Sequence, residues 1–197
     1  AVGGGSGGGT PSSFARIVDE KPQGTAGGTN IVGTQIRDLN TVLYDEDSIV
    51  SVEDNKFTLQ KGTYVIDYSA QAHAISAHMV KLKNVTDDEI VSLGTSEYAH
   101  GVNIGDTRSF GKYVVTLTKP TTYEVLHYTQ IVKTVTGLGV TTVEVGATNT
   151  YATVDIEKVG TGGASSGGGT TDILPVLMTG SVNANGTVES GTGFTSA

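Results

Sequence analysis

The chain has 197 residues, no cysteine and no tryptophan, 16% charged residues and a formal net charge of −8. Without cysteine there is no disulfide, iron–sulfur or thiolate-zinc chemistry. The 12 Lys and Arg run from Arg16 to Lys158 among acids, with no basic stretch to hold a nucleic acid. No segment approaches the length of a membrane span, and no signal peptide is visible. The chain starts at Ala1 rather than Met, which we expect of a processed product or a fragment.

In chain order, the first feature is a glycine-rich stretch, Gly3–Gly9. A second follows at Gly160–Gly169, and the two hold 12 of the 28 glycines. Such tracts cannot bury enough apolar surface to offset the entropy of ordering. Residues 1–13 and 160–170 therefore read as linkers around one domain, 14–159. Residues 171–197 read as the start of a second module or as a disordered tail.

Inside the domain, Phe14–Val18 is the first predicted strand, followed by a turn-rich segment at Pro22–Asn30. Ser48–Val52 and Phe57–Leu59 are next, around a turn at Glu53–Lys56. Gly62 opens a long strand with Tyr64, Ile66, Tyr68, Ala70 and Ala72 on one face. Val65, Asp67, Ser69, Gln71 and His73 fall on the other, a period of two that marks a half-buried strand. Met79–Leu82 puts Val80 and Leu82 inward and Lys81 and Lys83 outward. Ile90–Leu93 follows, then Ser109–Thr118 with Tyr113, Val115 and Leu117 on one face.

Lys119-Pro120 turns the chain into Tyr123–Val132. Val140–Val145 reads as either a strand or a loop. Thr150–Val159 closes the domain with Ala152, Val154 and Ile156 inward. The expectation is an all-β domain of eight to ten antiparallel strands, a sandwich, jelly roll or barrel. Tyr64, Tyr68, Tyr113, Tyr123 and Tyr128 are candidates for core or interface aromatics.

Few residues point to chemistry. The four histidines are His73, His78, His100 and His127. They read as surface or hydrogen-bonded core histidines, with His73 and His78 across a turn, or as a metal or glycan contact at a loop tip. The acidic clusters Asp45–Asp47 and Asp87–Glu89 lack the spacing of a calcium loop and read as solvated turns. No nucleophile elbow is present, and the glycine tracts lack the Lys-Ser/Thr of a phosphate loop. The polar stretch Gly94–Asp106 carries Tyr98, His100, Asn103 and Asp106. Loop-borne aromatic and amide groups suit sugar binding, by stacking on rings and bonding hydroxyls. With His73 these form the candidate glycan or receptor site; no catalytic, metal or cofactor residue is assigned.

An ordered set of short segments runs along nearly all of Phe14–Val159. It comprises Arg37–Thr41 (RDLNT), Asn55–Leu59 (NKFTL), Gly62–Tyr64 (GTY), Tyr68–Ala70 (YSA), and His78 with Leu82–Asp87 (LKNVTD). Gly94–Tyr98 (GTSEY), Arg108–Phe110 (RSF), Tyr123–His127 (YEVLH) and Asp155–Val159 (DIEKV) complete it. The set resembles a recurrent domain of bacteriophage tail fibres and virion spikes, of the complement-component and tumour-necrosis-factor jelly-roll type. Two positions depart from that pattern: Gln71 stands where the family has proline, and His73 where it has an aromatic.

The resemblance implies a jelly-roll β-sandwich that trimerises about a three-fold axis. It implies a non-enzymatic module on the surface of a virion, with other fibre, tail or capsid proteins and a host-surface polysaccharide as partners. Neither nucleic acid nor membrane insertion is expected. The competing expectations are a purely structural capsid or tail decoration fibre and a bacterial extracellular adhesin or filament subunit.

Overall fold

A computed structural model describes residues 12–100, 105–143 and 146–160, which form twelve strands. These are β1 (Ser13–Lys21), β2 (Gly33–Ile36), β3 (Thr41–Asp45), β4 (Val50–Glu53), β5 (Lys56–Leu59) and β6 (Gly62–His73). They continue as β7 (Ser76–Asn84), β8 (Glu89–Leu93), β9 (Glu97–Ala99), β10 (Asp106–Leu117), β11 (Thr121–Thr129) and β12 (Asn149–Lys158). One sheet has the order β10-β6-β12-β1-β3. The other has the order β4-β5-β11-β7-β8, with β2 added to β11 and β9 to β7.

The topology follows from how the chain folds back on itself. β1 pairs with β12 and β6 with β10 in the five-stranded sheet; β5 pairs with β11 and β7 with β8 in the seven-stranded one. Each early strand therefore meets its counterpart counted from the end, and successive pairs alternate between sheets. That is the double Greek key of a jelly roll, and every pairing is antiparallel.

The expected inward residues form the core. Tyr64, Ile66, Tyr68 and Ala70 of β6 pack with Val80 and Leu82 of β7, Tyr123 and Val125 of β11, and Ala152, Val154 and Ile156 of β12. Phe57 and Tyr123 lie stacked at 5.5 Å between ring centroids, and Tyr113 meets Tyr123 edge-on at 6.5 Å. Tyr128 alone of the five tyrosines faces solvent, on the outer surface of the seven-stranded sheet. The Glu53–Lys56 turn closes on Asp54 and Asn55, both at positive φ (50° and 63°), the geometry that gives a two-residue hairpin its twist.

The structure has more strands than the eight to ten expected. The additions are the short β2, β3 and β9, each hydrogen-bonded along one side to a long strand. β11 stops at Thr129 rather than Val132; beyond it Gln130 still donates to Ala77 O, but Ile131 skips out of register to Ile75 O in the β6–β7 turn. The described part of Val140–Val145 is loop. Residues 1–11 and 161–197, which hold the first glycine tract, all of the second but Gly160, and the tail, lie outside the described residues.

Gly111 on β10 faces the ring of Tyr68. A Cβ there would stand 2.1 Å from the ring's Cζ, so any side chain must displace a fully packed tyrosine. Overpacking of this kind costs about 1–3 kcal/mol. Gly111→Ala is expected to lower the unfolding free energy by that amount, read as a lower urea midpoint. An unchanged midpoint would mean that this part of the core is loosely packed.

Candidate functional site

One end of the sandwich collects most of the candidate residues. The β6–β7 hairpin turns there through Ala74 and Ser76, both at positive φ (52° and 62°). Its tip buries Ala72 and Ile75 against Ala99 of β9. The β10 register puts Asp106 directly opposite His73, and His73 Nδ1 lies 2.6 Å from Asp106 Oδ1. The pair becomes charge-assisted when the imidazole takes a proton.

Tyr98 belongs to the edge strand β9, not to a loop. It pairs with Ala77 of β7 and is 60% exposed. His100 meets its ring edge-on, with centroids 6.3 Å apart. The chain returns beside His100: a Cβ at Gly105 would lie 3.9 Å from the His100 backbone nitrogen. The expected site therefore divides into two pairs, His73 with Asp106 and Tyr98 with His100, on either side of the small Ala72–Ile75–Ala99 cluster. Asn103 lies outside the described residues.

The acidic clusters behave as turns. Asp45 accepts from the backbone N–H groups of Ile49 and Val50 at 2.8 and 3.2 Å. Asp87 accepts from Lys119 Nζ at 2.8 Å and from Asn84 Nδ2 at 2.9 Å, which together hold its carboxyl below the usual range. Among the described residues no group of three or more His, Asp or Glu converges as a metal ion would require.

Behind the tip lies a buried polar cluster that the sequence reading missed. Arg37 is fully buried and donates from Nη2 to Leu138 O at 3.2 Å and towards Asp19 Oδ2 at 3.4 Å. Lys21 Nζ lies 3.0 Å from Asp19 and 2.9 Å from Asp38, so the four charges alternate in sign. Desolvation wins over attraction here. It lowers the Arg37 pKa to about 10 and raises that of Asp19, with each partner opposing the shift of the other.

Two histidines share this interior. His78 Nδ1 and His127 Nε2 are 3.0 Å apart, and His78 Nε2 lies 2.7 Å from Thr107 Oγ1. Burial brings the His78 pKa down to about 4; Arg37 pushes the same way and Glu97 opposes. Burial, then Arg37 and His78, depress His127 further. Both rings are therefore neutral at physiological pH and serve as hydrogen-bonded core groups, one of the readings open from sequence. The available signal for Arg37 was its phase: it follows the exposed Ile36 at the inward step of β2.

No protein-family model matches the chain, and no curated protein matches it. Solved structures do. One is that of murine APRIL at pH 8.5, with a TM-score of 0.49 and 9% identity, covering 75% of this chain and 99% of that one. Another is the globular domain of zebrafish complement 1qA, with a TM-score of 0.42 and 14% identity, covering 76% and 96%. The assignment of the fold as a two-sheet jelly roll stands on the strand order given above.

The buried histidines set a pH dependence. Their folded pKa values lie below the unfolded value of about 6.5, so the stability that their neutrality supplies is complete above that pH. It declines as pH falls through 6.5 towards 4, by up to about 1.4 kcal/mol per unit for each ring. Asp19, raised instead, works in the opposite sense at the acid end. Urea unfolding at pH 7.5 and 5.0 is expected to show a clear loss on acidification, reduced in His78→Gln. Equal slopes in the two proteins would contradict a buried neutral pair.

Proposed function

We propose that this domain is a non-enzymatic virion fibre or spike module that forms a trimeric knob and attaches the particle to a host-surface glycan. The observation that carries the reading is the outer face of the five-stranded sheet. At the β1–β3 edge, Phe14, Leu43 and Tyr44 are 40%, 51% and 43% exposed. The Phe14 and Tyr44 rings lie 5.9 Å apart, and with Arg16 and Leu43 they line an open cavity of about 430 Å³. At the opposite edge, β10 turns Phe110 and Val114 outward at 55% and 61% exposure.

Two unlike apolar strips at opposite edges of one sheet suit a head-to-tail contact. Each copy offers one strip and receives the other, and such contacts close into rings when the rotation allows. The resemblance to trimeric fibre knobs supplies the number three. Each strip carries one ion pair that reaches towards the middle of the sheet: Arg16, beside Phe14, holds Asp155 of β12 through two hydrogen bonds of 2.6 and 2.9 Å, and Lys112, between Phe110 and Val114, pairs with Asp67 of β6 at 3.2 Å.

The tip residues Tyr98, His100, His73 and Asp106 lie at one end of the sandwich, Asp106 at the start of β10 four residues before Phe110, so three copies would present three sites together. Weak individual contacts then gain by effective concentration, which suits attachment to a repetitive polysaccharide. The glycine-rich stretches on either side of the domain suit a module strung along an extended assembly with other fibre, tail or capsid proteins.

Both strips are exposed in the single chain, so substitution there spares the core. Phe110→Asp with Val114→Asp is expected to change the unfolding free energy of the isolated chain by no more than about 0.5 kcal/mol. In sedimentation the wild-type chain is expected to run as a trimer and the double variant as a monomer. A wild-type monomer, or a double variant that still assembles, would overturn the proposed interface.

A further inference from the structure

The outer face of the seven-stranded sheet carries a second feature, away from the apolar strips. Along β7, Ala77, Met79 and Lys81 point outward. Tyr98 flanks Ala77 on one side, while Tyr128 and Leu126 of β11 flank Met79 and Lys81 on the other. Tyr98 and Tyr128 are 60% and 39% exposed, and the residues between them are small or flexible. Two strand spacings and a two-residue offset put their Cα atoms about 12 Å apart. That is the reach of a short oligosaccharide rather than of a single sugar ring.

Lys81 gives the face its charge. Its Nζ lies 5.8 Å from the Tyr128 ring centroid. None of the ion pairs among the described residues includes it. The neighbouring acid on this face, Glu124, is instead 3.8 Å from Lys83, which also pairs with Asp88 at 2.7 Å. Leu93 and Leu126 stand directly beside Lys81. An ammonium group among apolar side chains, with no acidic partner among the described residues, is a charge that a carboxylate would complement.

We propose that this face binds an acidic saccharide, with a uronate-type carboxylate on Lys81 and pyranose rings laid against Tyr128 and Tyr98. The assignment rests on the glycan-attachment reading above and extends its site from Tyr98 along the sheet. The tyrosine rings supply apolar faces for sugar C–H groups, and the lysine selects for charge. A neutral saccharide of the same length has nothing to offer Lys81.

The test uses the full chain and two probes, a galacturonic acid hexasaccharide and a neutral galactose hexasaccharide, followed by titration and saturation-transfer NMR. The acidic probe is expected to bind more tightly, with saturation transferred from tyrosine resonances. Lys81→Gln is expected to weaken it about ten-fold or more, the loss of one charge-assisted hydrogen bond. Tyr128→Ala is expected to weaken both probes several-fold. Added salt should weaken acidic-probe binding to the wild type but not to Lys81→Gln.

Equal affinity for the two probes would overturn the inference. So would binding that His73→Ala abolishes and Lys81→Gln spares, although the attachment reading would then stand at the tip alone. If neither probe binds, the inference falls; if a broad glycan array is also blank, the attachment reading falls with it.

Discussion

A single buried guanidinium joins the parts on which the rest of the molecule depends. The Arg37 backbone N–H donates to Val125 O at 2.8 Å, extending the seven-stranded sheet beyond β2. Its side chain crosses to Asp19 on β1 of the other sheet and reaches Leu138 in the connection between β11 and β12. Three elements distant in sequence thus meet at one charge. Removing one partner of such a pair leaves an uncompensated buried ion, a cost of about 3–5 kcal/mol. Burial keeps His78 and His127 beside it neutral, and the same charge pushes in that direction. The tip that carries His73, Asp106 and Tyr98 is built on this base, so its geometry is tied to the electrostatics of the interior.

The two outer sheet surfaces differ in kind. On the five-stranded sheet, apolar residues gather at the two edges, each with one cation among them that reaches an acid on an inner strand. On the seven-stranded sheet, Tyr128 and a lysine with no acidic partner among the described residues lie on the inner strands β11 and β7, with Tyr98 on the edge strand β9 beside them, while the row holding Lys83 and Glu124 is charged. A chain that assembles through the first surface keeps the second free for a ligand. This division accounts for why aromatic residues stand exposed on both sides of a sandwich whose core already holds several others.

The long strands were legible in the sequence because each carries its own alternation. β6 reads through twelve residues with every second side chain buried, and β7 and β12 repeat the pattern. The short β2, β3 and β9 were not legible. A strand of three to five residues has too few steps to show a period, and these form because a long neighbour offers its hydrogen-bonding edge. β3 is further disguised by a register shift where it pairs with β1.

The candidate site was legible only in part. The approach of His73 to Asp106 depends on the β6–β10 register, which a loop of uncertain length cannot fix from sequence. The burial of Arg37 and Asp19 was not legible, because it needs both sheets in place around them. The outward position of Lys81 was readable from the alternation of β7. That it has no acidic partner among the described residues was not, since that depends on where Glu124 and Asp88 fall across the sheet.

The division of the two surfaces is tested most directly by hydroxyl-radical footprinting of the assembled chain, read out at individual aromatic side chains. Phe14, Tyr44 and Phe110 on one sheet are about as exposed in the single chain as Tyr98 and Tyr128 on the other. The account predicts protection of the first three and full labelling of the second two in the absence of saccharide. Equal labelling of both sets, or protection of Tyr98 and Tyr128 instead, would contradict it.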